Sequence, residues 1–167
     1  MNTLVMTIAL LGASIGLQLP PSAPSLEMAK FIGFWRVTGG SAIGSPPPPV
    51  LLNIRVAGDE LTIERRDLES GAAETSRYRL DGQSARTVRD GRPVDATAAL
   101  EGSLLVIRTQ PTAADPNRPS LVETFTVGRN TMMMDRIAAR GTATTNSDEI
   151  FERIPDNTDL HGGKELR

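Results

Sequence analysis

The side chains that could do chemistry in this chain lie on a predicted hairpin near its C-terminal end. The hairpin sets Glu123 opposite Arg136 and Phe125 opposite Met134, while Tyr78 lies on an earlier predicted strand. A carboxylate and a guanidinium in an apolar wall could anchor a ligand carboxylate or hydroxyl, or could satisfy each other across the strands. Methionines beside an aromatic ring give an adaptable apolar surface, or plain core packing. The candidate ligand-binding residues are Tyr78, Glu123, Phe125, Met132, Met134 and Arg136.

Several kinds of chemistry are excluded by composition. The chain has no cysteine, which excludes disulfides, thiolate metal sites and a cysteine nucleophile. Its single histidine, His161, lies in a Gly-rich polar tail, which argues against a zinc site, a haem ligand and a Ser-His-Asp triad. No spacing singles out an acid–base pair, so the sequence assigns no catalytic residue, no metal ligand and no cofactor.

Length and charge indicate one domain without a nucleic-acid partner. A chain of 167 residues is typical of a single domain. The formal net charge of -2 gives no electrostatic basis for binding nucleic acid. Basic residues such as Arg36, Arg55, Arg65 and Arg66 are interleaved with acidic ones and are expected on a solvated face.

The first 25 residues predict export. An apolar run over residues 4–11 is too short to span a membrane, and small residues and prolines follow it up to residue 25. We interpret residues 1–25 as a signal peptide and linker, which predicts a periplasmic or secreted protein. The alternative is an uncleaved N-terminal anchor or packing helix, which would be the one route to a membrane. Residues 155–167 are polar and Gly-rich, and we expect a disordered tail.

Apolar alternation around tight turns predicts hairpins through most of the chain. Ile54 and Val56 alternate with polar neighbours before Gly58-Asp59, and Leu61 and Ile63 alternate after it. A type II′ turn at Gly58-Asp59 therefore pairs Val56 with Leu61 and Ile54 with Ile63.

Further tight turns extend the same pattern. Two-residue turns at Asp81-Gly82 and Asp90-Gly91 would place Tyr78 opposite Ala85, Ala85 opposite Ala96, and Thr87 opposite Val94. The small side chains of Ala85, Ala96 and Ala98 would then either pack closely or leave room for a ligand.

The register of the C-terminal hairpin follows from a turn at Arg129-Asn130. This turn pairs Glu123 with Arg136, whereas a slip of one residue would pair Glu123 with Asp135 and set two carboxylates against each other. A last strand is predicted over residues 149–154.

These patterns predict an all-β fold. About eight to ten strands form an antiparallel up-and-down meander that closes into a β-barrel, with a β-sandwich as the alternative. A single helical turn over residues 26–30 leads into the first strand, which carries Gly33 and the only tryptophan, Trp35.

The segment of residues 26–35, with its Phe-x-Gly-x-Trp sequence, resembles the opening motif of lipocalins. Residues 26–154 as a whole resemble lipocalin-like bacterial exported proteins. The resemblance implies a barrel whose closed end holds Trp35, with Gly33 allowing close approach and Arg153 across the indole face. The middle lipocalin motif has no clear counterpart here, so a ten-stranded or fatty-acid-binding-like barrel is open as well.

Three hypotheses of function follow. The first is a binder of a small hydrophobic molecule inside the barrel. The second is a filled barrel that serves as a structural or interaction module of the cell envelope. The third is an enzyme that moves protons without a cofactor, using side chains such as Tyr78. The sequence does not specify the ligand, the protein partners or the oligomeric state.

Overall fold

The computed structural model describes residues 24–40 and 49–155. The predicted signal peptide up to residue 23, the proline-rich loop of residues 41–48 and the tail from residue 156 lie outside the described residues. Within the two described ranges, no helix is both long enough and apolar enough to cross a membrane.

The structure is a meander of ten antiparallel strands preceded by one helical turn. The elements are α1 (Leu26–Ala29), β1 (Gly33–Gly40), β2 (Val50–Ala57), β3 (Glu60–Asp67), β4 (Ala73–Arg79), β5 (Ala85–Arg89), β6 (Arg92–Glu101), β7 (Leu104–Gln110), β8 (Ser120–Val127), β9 (Thr131–Arg140) and β10 (Ala143–Ile154). Strand β1 pairs with β10, so one sheet curls into a nearly closed barrel. Strands β4 and β5 are the two edge strands of this sheet. The predicted all-β barrel is confirmed, and its ten strands are the upper limit of the predicted eight to ten.

The predicted registers of two hairpins are confirmed. Strands β2 and β3 pair Ile54 with Ile63 and Val56 with Leu61, and Gly58 between them has φ 61. This positive φ at the first turn residue is the conformation that a type II′ turn requires and that glycine adopts freely. Strands β8 and β9 pair Glu123 with Arg136, so both side chains face the barrel interior.

The predicted pairing of Tyr78 with Ala85 is wrong, because β4 and β5 share no ladder of backbone hydrogen bonds. The connection is longer than a two-residue turn: the Asp81 carboxylate accepts a bond from the Gln83 amide at 2.9 Å, and the chain turns over residues 80–84. Side chains bridge the resulting seam. The Ser76 hydroxyl donates to the Val88 carbonyl at 2.7 Å, and the Arg77 amide donates to Thr87 Oγ1 at 3.0 Å.

Strand β10 begins at Ala143, six residues before the predicted start at residue 149. The added residues include Thr144, Thr145, Asn146 and Ser147, which show no apolar alternation and are mostly exposed. They form a strand because β9 supplies a continuous ladder of partners for them. Pairing decided the structure of this segment, not the side-chain pattern.

One end of the barrel is closed by α1 and Trp35. Ser25 caps the helix by accepting a bond from the Met28 amide at 3.2 Å. Trp35 is fully buried, and its Nε1 donates to the Phe31 carbonyl at 2.8 Å. The guanidinium of Arg153 lies 4.2 Å from the centroid of the indole ring. A cation over an aromatic face contributes about 0.5–2 kcal/mol.

Arg153 also ties the helix to the barrel. Its Nη1 donates to the Ile32 carbonyl at 2.7 Å and its Nη2 to the Lys30 carbonyl at 2.5 Å. A Cβ on Gly33 would lie 3.0 Å from Nη1 of Arg153, and Gly33 has φ 129, so a glycine suits this position. Three large side chains, Phe31, Trp35 and Phe151, are fully buried toward this end.

Candidate functional site

A cavity of about 350 Å³ lies toward the other end of the barrel, away from α1. Strands β2, β3, β4, β5, β7, β8 and β9 contribute to its wall. Its apolar lining consists of Leu52, Ile63, Pro119, Leu121, Phe125 and Met134. Its polar lining consists of Arg65, Glu74, Ser76, Tyr78, Arg89, Asp90, Thr109, Arg118, Glu123 and Arg136. The cavity therefore has an apolar part and a strongly polar part.

Glu123 is the most deeply buried charged group of this wall, with 2% of the residue exposed. Both carboxylate oxygens accept bonds from the two terminal nitrogens of Arg89, in the forked geometry that suits a guanidinium. Arg136 donates a further bond from Nε to Glu123 Oε1 at 3.0 Å. The carboxylate is thus shared between two arginines from the neighbouring strand β9 and the more distant strand β5.

The ion pairs continue around the wall. Arg65 donates to both oxygens of Glu149, at 3.0 and 3.1 Å, and Arg136 Nη1 lies 3.8 Å from Glu149 Oε1. Arg118 donates to Asp90 at 2.6 Å and to the Arg89 carbonyl at 3.0 Å. The wall is therefore a connected network in which each arginine has a carboxylate partner.

The environment shifts the pKa values of the Glu123 carboxyl and of the Tyr78 phenol in the cavity. Burial alone would raise the pKa of the Glu123 carboxyl, but the charges and hydrogen bonds of Arg89 and then Arg136 outweigh it and hold that pKa below its ordinary value. Burial raises the pKa of the Tyr78 phenol, against the opposing charge of Arg89. At neutral pH the site thus presents an ionised Glu123 and a neutral Tyr78.

Thr109 is the cavity residue whose hydrogen bonding is incomplete. The residue is 1% exposed, and its Oγ1 has no hydrogen-bond partner among the described residues. Thr109 faces inward on β7, where it pairs with Ala96 and Leu121. Because buried hydroxyls are nearly always bonded, Thr109 Oγ1 stands out as a hydrogen-bonding group whose capacity is unused in the structure.

The structure brings together five of the six residues predicted to bind a ligand. Tyr78, Glu123, Phe125, Met134 and Arg136 all line the cavity. Met132 does not, because it lies nearer the closed end, opposite Val127 and Phe151 in register, and is fully buried in the core.

The alanines that were predicted either to pack closely or to leave room for a ligand do not line the cavity. Ala96 and Ala98 are buried in the packed core, and Ala85 is half-buried outside the lining. Their small side chains therefore serve close packing within the core. The free volume lies instead beside the polar network.

Sequence reasoning missed Arg65, Arg89, Glu149 and Thr109. The signal for two of them was present: Leu61, Ile63 and Arg65 alternate on one face of β3, as Thr87 and Arg89 do on β5. Arg65 was expected on a solvated face, but its side chain is only 33% exposed and is paired with Glu149. Glu149 could be paired correctly only with knowledge of the barrel closure that brings β10 beside β1.

No group of three or more His, Asp or Glu side chains that could hold a metal ion occurs within residues 24–40 and 49–155. The arrangement can instead enclose the apolar body of a small molecule and offer hydrogen bonds to one polar end.

The fold is similar to several solved β-barrel structures. A secretory abundant heat soluble protein of Ramazzottius varieornatus matches with a TM-score of 0.61 and 11% identity, over 75% of this chain and 96% of that one. Lipid-binding protein 8 of Caenorhabditis elegans matches with a TM-score of 0.61 and 13% identity, over 76% of this chain and 97% of that one. Zebrafish ileal bile acid-binding protein, in complex with cholic acid, matches with a TM-score of 0.58 and 13% identity, over 75% of this chain and 99% of that one.

At these identities the similarity shows the fold alone, a β-barrel that this chain shares with the three proteins. No protein-family model and no curated protein sequence matches the chain.

Proposed function

We propose that this protein binds a small, largely apolar molecule in the cavity of its barrel. The observation that carries the proposal is the cavity itself, where Leu52, Phe125 and Met134 face a polar network across about 350 Å³. Ligand pockets commonly measure about 300–1,000 Å³ and combine an apolar lining with a few placed polar groups. A filled barrel, as the interaction-module hypothesis requires, would lack this volume.

The volume sets the size of the ligand. A water molecule occupies about 30 Å³ in the liquid, so the cavity holds on the order of a dozen non-hydrogen atoms. This corresponds to a medium-length alkyl chain or a two-ring aromatic molecule. The names of the similar barrels, which refer to lipids, fatty acids and a bile acid, support an apolar guest of this general kind.

The cavity offers less support for an enzyme. The enzymatic hypothesis needs two carboxyls, or a carboxyl and Tyr78, that converge on the cavity without being paired to other groups. Glu123 is instead held by two arginines, and Glu74 accepts a bond from the Gly91 amide at 2.7 Å. Ligand binding is therefore the function that the geometry supports best.

A calorimetric titration with naphthalene tests the proposal, because this probe matches the cavity in size and carries no polar group. We expect saturable binding of one molecule per chain. Leu121→Trp, which places extra volume in the cavity, should weaken binding at least fivefold, since overpacking costs about 1–3 kcal/mol. Val122→Trp on the outer face of β8 is the matched control and should change the affinity less than twofold.

Absence of saturable binding, or equal weakening by the two tryptophan variants, would contradict binding inside the barrel. Native mass spectrometry of protein purified from its own host would then identify the natural guest, or return the protein without one.

We also propose that the protein acts outside the cytoplasm, after export. The proposal is supported by the apolar run of residues 4–11, the small residues and prolines that follow, and the resemblance to exported lipocalin-like proteins. Fractionation of the host with N-terminal sequencing tests it. The expected result is an extracytoplasmic protein that begins near residue 25, and a cytoplasmic protein beginning at Met1 would overturn it.

A further inference from the structure

We infer that the cavity selects an apolar molecule whose polar end is an uncharged hydroxyl, and that it discriminates against carboxylates. The inference rests on the proposed function and names the chemical class of its ligand. It follows from the charge balance of the wall, from the use already made of the arginine donors, and from the free hydroxyl of Thr109.

The wall is balanced in formal charge before any ligand arrives. Its arginines are Arg65, Arg89, Arg118 and Arg136, and the carboxylates paired with them or lining the same wall are Glu74, Asp90, Glu123 and Glu149. Four positive and four negative charges sum to zero. A ligand carboxylate would therefore bring an unmatched negative charge into a partly buried site, which is unfavourable.

The forks of Arg89 and Arg65 are already occupied by carboxylates of the protein. The two terminal nitrogens of Arg89 both donate to Glu123, and those of Arg65 both donate to Glu149. Arg89 and Glu123 are also deeply placed, with side chains 13% and 3% exposed. A ligand carboxylate could reach Arg89 only by displacing Glu123, and that would leave a buried carboxylate without its partners.

Glu123 thus occupies the position that the carboxylate of an acidic ligand would need. Its pKa is held low by the arginines, so it stays ionised at neutral pH and keeps them occupied.

Thr109 supplies a polar contact that the ion-pair network does not use. Its hydroxyl is buried, faces inward and has no bond to another described residue. A hydroxyl group can both donate and accept, so an alcohol can pair with Thr109 whichever way the threonine proton points. An uncharged partner of this kind leaves the ion-pair network intact.

The test compares three probes that share a ten-carbon chain: 1-decanol, decanoate and decylamine, titrated into the full chain at pH 7. We expect 1-decanol to bind at least tenfold more tightly than either charged probe. Thr109→Val, which keeps the shape of the side chain and removes its hydroxyl, should weaken 1-decanol at least threefold, whereas the more apolar lining should not weaken naphthalene. Thr126→Val on the outer face of β8 is the control and should alter neither.

A second variant tests whether Glu123 excludes ligand carboxylates from the arginines. Glu123→Gln leaves the two arginines with an unmatched positive charge, so the affinity for decanoate should rise at least tenfold relative to 1-decanol. Glu152→Gln makes the same change of charge at an exposed position and should leave the preference unchanged. If Glu123→Gln does not fold, the wild-type preference and the Thr109→Val result still decide the matter.

Decanoate or decylamine binding as tightly as 1-decanol to the wild type would overturn the inference, as would full 1-decanol affinity in Thr109→Val. These results leave the proposed function standing if naphthalene binds. Failure of naphthalene and of all three ten-carbon probes would overturn both.

Discussion

Glu123 stabilises the barrel by pairing with Arg136 and with Arg89, whose buried guanidinium would otherwise have no carboxylate partner. Arg89 and Arg136 converge on its carboxylate from β5 and β9, which are not neighbours in the sheet. Removing one partner of a buried ion pair is costly because the remaining charge stays desolvated. The residue therefore links two distant strands as well as shaping the cavity.

Glu123→Gln should lower the free energy of unfolding by about 3 kcal/mol at pH 7, the lower end for a broken buried pair because Arg136 keeps some contact with solvent. The pKa of Glu123 is lower in the folded protein than its ordinary value of 4.5. Its stabilisation is therefore complete above about pH 4.5 and is lost as the pH falls through the folded-state pKa.

Urea denaturation of both proteins at pH 7 and pH 3 measures this effect. The wild type should lose more stability than Glu123→Gln on acidification, so the difference between them should shrink. A difference that stays constant over this range would show that the carboxylate is not the stabilising group.

Trp35 acts on stability and not on the cavity, which it does not line. Trp35→Ala should cost about 3–5 kcal/mol, as for large-to-small changes in a core. Arg36→Ala, at an exposed position on the same strand, is the control and should stay within about 0.5 kcal/mol. Denaturation measures both, and a folded Trp35→Ala protein that has lost naphthalene binding would contradict the separation of the two ends.

At the scale of elements, the seam between β4 and β5 is the weak point of the barrel. Every other pair of neighbouring strands shares a backbone ladder, but here side-chain bonds from Ser76 and Thr87 replace it. Backbone groups that lack a ladder open more readily to solvent. The seam is therefore where the barrel should open first.

Hydrogen exchange tests this directly. Amides of β4 and β5 that face the seam should exchange faster than those between β1 and β10. Thr87→Val removes the acceptor of the Arg77 amide, and loss of about 1 kcal/mol should speed its exchange about fivefold. Thr97→Val on the outer face of β6 should leave the Arg77 amide unchanged, and equal exchange at both junctions would contradict a weak seam.

The hairpins were predictable because turn chemistry and alternation agreed on one register, as at Gly58-Asp59 and Arg129-Asn130. The β4–β5 seam was not, since Asp81-Gly82 looks like a tight turn and only the closed barrel shows that the strands stay apart. The early part of β10 was equally hidden, because its polar residues are ordered by β9. In the candidate site, the inward direction of the Glu123 and Arg136 side chains could be predicted from the strand register. The pairing of Arg89 with Glu123 could not, because it depends on how the sheet curves, which the sequence pattern does not specify.

At the scale of the whole molecule, the barrel interior divides between stability and binding. Trp35, Phe31 and Phe151 are buried toward the end with α1, and the other end holds the cavity and the ion-pair network. The four methionines among the described residues lie in different parts of the barrel. Met28 lies at the closed end, Met132 in the core, Met133 on the outer surface and Met134 in the cavity wall.

Methyl NMR of protein labelled with ¹³C-methyl methionine therefore locates the guest. Naphthalene induces strong ring-current shifts in methyl groups that it contacts. We predict that its addition shifts the Met134 methyl resonance in a saturable manner and leaves Met28 and Met133 in place. A shift of Met28 or Met133 with Met134 unmoved, or no shift at any of them, would contradict binding in the cavity.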